Sequence, residues 1–199
     1  MPDFELENAA RLKGYNLICG VDEAGRGPLA GPVCAAAVIL PTDEIIEGVN
    51  DSKKLSEKKR EKLFDIITEK ALAWSVAFAS VEEIEEVNIL NATYLAMNRA
   101  IDGLQIQPDY ALIDGNRRPK DIKVACETVV KGDAKSVSIA AASILAKVTR
   151  DRLILEYDKE FPEYSFAAHK GYGTKAHIDA IKKFGLCKYH RPSFLKNIK

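Results

Sequence analysis

Apolar runs and amphipathic stretches alternate along the chain, and their periods predict its elements. Residues 17–22 and 33–40 are continuous apolar runs of strand length, joined by a glycine-rich turn. From Ser56, Leu63, Phe64, Ile66 and Ile67 recur at helical spacing, which predicts a helix to about Leu72. Trp74–Phe78 alternates and reads as a third strand. Leu90, Tyr94, Leu95, Met97 and Ile101 mark a helix over roughly 88–104. Residues 110–113 form a short buried strand that stops at Asp114-Gly115, and 124–130 a fifth. A long helix is expected from about Ala134 to Glu160, ended by Pro162, and another over 174–184. Three strands followed by alternating helix and strand predict an α/β fold with a mixed five-stranded sheet.

No repeat, low-complexity tract or long linker interrupts this pattern, so residues 1–199 are expected to form a single domain. From about 162 onward the chain reads as a helical, basic C-terminal extension. In open α/β sheets, sites form beyond the carboxyl ends of the strands. Asp22, Asp114 and Asp133 each end or follow an apolar run, so they are expected to converge although distant in sequence.

The composition, 47% hydrophobic and 29% charged, is that of an ordinary globular protein. No apolar run is long enough to span a bilayer, and the first residues do not look like a secretion signal. Cys19, Cys34, Cys126 and Cys187 are far apart, with no C-x-x-C pair, and read as reduced thiols of a cytoplasmic protein. The formal net charge is zero. Its distribution is uneven: residues 117–150 and 170–199 are rich in lysine and arginine, whereas acids gather in 3–7, 43–47 and 82–86. A basic face of this kind could hold a polyanion, although ordinary solvated helix faces would give the same pattern.

The chemistry begins at Gly20-Val21-Asp22-Glu23-Ala24-Gly25-Arg26-Gly27. Paired carboxylates at a strand end suit hard divalent cations. Glycine lets backbone amides approach a ligand, and arginine matches phosphate. Strand neighbours point to opposite faces, so Asp22 and Glu23 can share one site only if the strand twists or breaks there, as Gly25 would permit. The alternative is a solvated turn carrying two charges. Asp114 could equally initiate a turn. Asp133, in Lys131-Gly132-Asp133-Ala134-Lys135-Ser136, could be a helix N-cap, a position that also favours phosphate. Asp151 could be a surface i,i+4 partner of Lys147. It lies roughly 27 Å along the helix from Asp133, so both cannot serve one cluster unless the helix starts late, and Asp133 is preferred. His169, His177 and His190 lack convincing metal spacing. Solvated or capping roles are expected for His177 and His190. Tyr172, flanked by glycines, could stack on a sugar or base.

Taken in order, these segments resemble the type 2 ribonucleases H, and within them the bacterial ribonuclease HII family. The resemblance runs through residues 20–28, Asp51-Ser52-Lys53-Lys54-Leu55, Ile113-Asp114-Gly115, Lys131-Gly132-Asp133, residues 138–151 and His169-Lys170-Gly171-Tyr172-Gly173-Thr174. It implies a ribonuclease H-like fold. It also implies cleavage of the RNA strand of RNA–DNA hybrids and nicking 5′ of single ribonucleotides in duplex DNA, leaving 3′-hydroxyl and 5′-phosphate ends. Such an enzyme would remove ribonucleotides and primers during replication and repair. The implied catalytic and metal-binding residues are Asp22, Glu23, Asp114 and Asp133, with Asp151 competing for the fourth place. They would hold two divalent cations, Mg²⁺ or Mn²⁺, one to activate water and one to steady the leaving oxygen. Gly25, Arg26 and Gly27 would contact the 2′-hydroxyl and Tyr172 would pack on the sugar. Lys53 and the basic segments would bind phosphates. The related ribonuclease HIII type carries an extra N-terminal domain that this length does not accommodate. A monomer is expected, with the tail a candidate contact for a replication clamp and no membrane partner. A non-cleaving binding protein on the same fold is disfavoured by the four intact carboxylates. A nucleotide-binding protein is disfavoured by the lack of a Gly-Lys-Ser/Thr loop.

Overall fold

The structure is a computed structural model that describes residues 2–42 and 46–196. Residues 43–45 of the acidic stretch 43–47 and the last residues of the basic tail, 197–199, therefore lie outside the described residues. Five strands form one mixed sheet: β1 (Ile18–Ala24), β2 (Val33–Ile39), β3 (Ala73–Ala79), β4 (Tyr110–Asp114) and β5 (Ala125–Val129), in the order β3-β2-β1-β4-β5. The first three strands pair antiparallel, while β1–β4 and β4–β5 pair parallel.

Period-two side-chain alternation divides the core into two layers. On one face Cys19, Val21, Ala35, Ala37, Ala111 and Ile113 pack against Ala92, Ala96, Met97 and Ala100 of helix α3 (Val81–Asp102). On the other, Cys34, Ala36 and Val38 meet Leu63 and Ile67 of helix α2 (Glu57–Lys70) and the alanine-rich start of helix α4 (Val137–Glu160). Small residues let these helices sit close. A methyl group on Gly20 would fall 2.1 Å from the carbonyl carbon of Ser138, so α4 reaches the sheet only because position 20 lacks a side chain.

The helices are α1 (Glu5–Leu12), α2 (Glu57–Lys70), α3 (Val81–Asp102), α4 (Val137–Glu160), the single turn α5 (Phe166–His169) and α6 (Lys175–Phe184). Three differ from expectation. The polar-rich α1 was not anticipated; its buried Glu7 accepts bonds from Ser136 Oγ (2.6 Å) and from the Oγ (2.6 Å) and N (3.1 Å) of Ser138 at the start of α4. Helix α3 begins seven residues early, at a Ser80–Glu83 capping box, and kinks at Asn88 (φ 66°, ψ 164°). Its first half is acidic, so the apolar period starts only beyond the kink. Helix α4 starts at Val137 rather than Ala134, because Ser136, not Asp133, is its N-cap. Beyond α4, Tyr164, Phe166 and Ile181 form a separate small core with Ala30 and Ile154. No helix among the described residues is long and apolar enough to cross a membrane.

Candidate active site

Parallel pairing of β1 with β4 aligns Val21 with Ile113, so Asp22 and Asp114 emerge side by side at the same end of the sheet. Strand β1 then continues against β2 alone, with Asp22 opposite Ala36 and Glu23 opposite Ala35. Both acids thus lie within the strand, which runs on to Ala24, and not at its break. Each of Asp22, Glu23 and Asp114 nevertheless places a carboxylate oxygen within 4.8 Å of the other two.

Burial of this trio is costly unless a cation offsets it. Burial, then the neighbouring Glu23 and Asp114, push the Asp22 carboxyl well above its ordinary range. Glu23 is raised by burial, against the pull of Arg26, whose guanidinium lies 3.2 Å from Glu23 Oε1. Three converging carboxylates with one exposed arginine as direct partner form a hard oxygen donor set that fits a divalent cation.

Asp133 stands outside the 4.8 Å trio but close to it. Lys131 takes a left-handed conformation (φ 56°) after β5 and turns the chain into a short 3₁₀ segment, Gly132–Ala134. The Gly132 amide donates to Asp114 Oδ1 at 2.6 Å, which ties this turn to the trio. Burial, Asp51 and Asp114 raise the Asp133 carboxyl. Asp151 is buried further along α4 and pairs with Lys147 at 2.8 Å. Lys53 sits before the acids: burial draws its ammonium down, but Asp22, Asp133, Asp51 and Asp114 together raise it. The Asp51–Leu55 segment is held there by a 2.8 Å bond between Ser52 Oγ and Ser143 Oγ of α4.

The Gly25-Arg26-Gly27 loop borders the trio, with Gly25 at φ +95°. Tyr172 is exposed, and its ring edge lies 3.7 Å from where a Gly27 side chain would begin. A cavity of about 380 Å³ opens beside Glu23 and Asp114, walled by Arg26, Tyr94, Met97 and Arg117.

Two expectations are corrected. His177 and His190 are neither solvated nor capping; both are buried and hydrogen-bonded to each other and to the backbone, and His169, buried too, bonds the backbone and stacks on His177. Their spacing in sequence hid this because α6 and the tail fold back on α5. Arg150 and Arg191, counted above among the basic segments, are fully buried and face backbone carbonyls rather than a polyanion. No signal in the sequence distinguishes them from surface arginines.

The family model for ribonuclease HII matches residues 19–197. A ribonuclease HII of Acetivibrio thermocellus is 59% identical over 191 residues, covering 96% of this chain and 74% of the relative. Among solved structures, a ribonuclease H2 from Pyrococcus horikoshii OT3 superposes with a TM-score of 0.76 at 28% identity, covering 92% of this chain and 97% of that one. The ribonuclease HII of a complex with PCNA from Archaeoglobus fulgidus gives 0.72 at 26% identity, covering 88% and 94%.

Proposed function

This chain belongs to the ribonuclease HII family, endoribonucleases that act on RNA–DNA hybrids, and from that premise we propose that Asp22, Glu23, Asp114 and Asp133 are its catalytic and metal-binding residues. The observation that carries the reading is the approach of three carboxylates, from strands β1 and β4, to within shared reach of one cation. Two divalent cations held there, Mg²⁺ or Mn²⁺, would activate a water for in-line attack on the scissile phosphate and stabilise the departing 3′ oxygen. The chain's own residues do the rest. The buried acids fix where positive charge can gather. Lys53, exposed beside them, offers its ammonium to a flanking phosphate. The Arg26 and Gly27 amides meet no acceptor within the protein among the described residues, which leaves them free to read a ribose 2′-hydroxyl. Tyr172, against Gly27, packs on the same sugar.

The product is a nick on the 5′ side of the ribonucleotide with 3′-hydroxyl and 5′-phosphate ends, as removal of ribonucleotides and primers during replication and repair requires. We place the enzyme in the cytoplasm as a monomer, a setting that suits its four free thiols. The tail is the contact we propose for a replication clamp. The test is a duplex DNA carrying one ribonucleotide, incubated with and without Mg²⁺. A metal-dependent nick at that ribonucleotide is expected, lost with EDTA and restored by excess Mg²⁺. No such nick would defeat the reading.

A further inference from the structure

The turn between β1 and β2 presents its carbonyl groups inward. Arg191 alone takes four of them: Nε donates to Gly31 O (2.8 Å), Nη1 to Arg26 O (3.1 Å) and Pro28 O (2.9 Å), and Nη2 to Gly25 O (2.7 Å). Arg150 takes Pro32 O (3.1 Å) and Ala30 O (3.0 Å), and reaches Lys170 O (3.1 Å). Both guanidinium groups are fully buried, and no carboxylate pairs with either among the described residues. Two unpaired buried cations side by side are expensive. Hydrophobic side chains could fill this space at lower cost, but they could not fix the direction of seven peptide groups. With the Gly25 and Arg26 carbonyls turned in, the planar trans peptides leave the amides of Arg26 and Gly27 facing the other way.

The C-terminal extension is bound to the same turn by its backbone. Arg191 N donates to Leu29 O, Gly31 N to Tyr189 O and Leu29 N to Gly171 O, each at 2.8 Å. After Arg191 the chain is anchored at the surface by Glu85, which accepts from Ser193 N (3.0 Å) and Oγ (2.7 Å).

We propose that Arg191 is a positioning residue for ribose recognition: from the extension it sets the amide-out conformation of the Gly25–Gly27 loop, and thereby the preference for a 2′-hydroxyl. The inference rests on the functional reading above. A planar fork with several donors is required, so lysine, with the same charge but a single nitrogen, cannot substitute.

The test compares the affinity of the full-length protein for a duplex with one ribonucleotide and for the same duplex in DNA alone, with Ca²⁺ replacing Mg²⁺. Arg191→Lys should lower the ratio of the two affinities by about tenfold, roughly 1.4 kcal/mol. It should leave affinity for the all-DNA duplex within about twofold. A merely structural role would lower melting temperature without moving the ratio, and an unchanged ratio in folded Arg191→Lys overturns the proposal. Should that variant fail to fold, the surface double variant Glu85→Ala/Ser193→Ala decides. A ratio lowered severalfold with the fold intact supports the role, and an unchanged ratio overturns it. A wild-type protein with no preference for the ribonucleotide would instead overturn the functional reading itself.

Discussion

Asp22 accepts a 2.7 Å bond from the Glu23 amide, but its burial in the central strand, and then the like charges of Glu23 and Asp114, outweigh that bond and raise its carboxyl. Replacing it with asparagine removes charge without changing shape. Cleavage by Asp22→Asn should fall on the order of 10³-fold, about 4 kcal/mol of transition-state stabilisation, while hybrid binding survives. Single-turnover cleavage and a gel-shift titration measure the two. His177 shows the opposite kind of perturbation. Its Nδ1–H donates to Tyr172 O (2.9 Å), its Nε2 accepts from His190 Nε2–H (3.1 Å), and His190 Nδ1 in turn accepts from the Cys187 amide (2.9 Å). The chain is satisfied only by neutral rings, and burial is the main force pushing His177 down to about 4. Between that value and the ordinary 6.5, the unfolded chain binds the extra proton and the folded one does not. Stability should therefore rise with pH across this window, by up to about 3 kcal/mol, and be complete above it. Urea titrations from pH 4 to 7, set against His177→Gln, measure the contribution.

Among the elements, α4 carries the most weight. Its first half is buried on all sides, touches β1 at Gly20 and supplies Ser143 to hold the Asp51–Leu55 segment. Its N-terminus is closed by Ser136, whose Oγ accepts from Ile139 N at 3.1 Å, and by the Glu7 carboxylate of α1, which suits the positive end of a helix. Glu7→Ala would leave two buried hydroxyls and one amide without this acceptor. A loss of about 2–4 kcal/mol in urea unfolding is expected, with cleavage by the folded fraction unchanged. This contact also explains why α1 escaped the sequence reading. Its one buried acid is indistinguishable from the solvated glutamates beside it until α4 is placed against it. Strand positions were legible to within a residue or two because alternating burial on both faces demands apolar runs. The start of α3 and the cap of α4 were not, because local capping groups set them and the hydrophobic period does not.

For the whole molecule, a formal charge of zero conceals how the basic residues are used. Arg150 and Arg191 are interior, Lys188 pairs with Glu160 at 2.6 Å and Lys147 with Asp151 at 2.8 Å. Fewer cations remain for phosphates than a count along the chain suggests. Affinity for a hybrid duplex should fall with salt, with a log–log slope no steeper than roughly −5, corresponding to about five neutralised phosphates. Fluorescence anisotropy between 50 and 200 mM salt (roughly the range over which such slopes are read) would measure it.

The order of apolar runs was enough to specify the α/β class, the strands and the convergence of Asp22 with Asp114, because parallel strands in one sheet deliver their ends to the same edge. The ordered motifs were enough to indicate the family and its acids. Folding alone decided which cations face solvent and which grip the backbone, that three scattered histidines are buried together, two of them sharing a hydrogen bond and the third stacked on one of these, and that the turn carrying Asp133 is tied to Asp114 through the Gly132 amide instead of capping α4. These outcomes depend on contacts between segments far apart in sequence, and a side chain's type does not record whether such a partner will remove it from water.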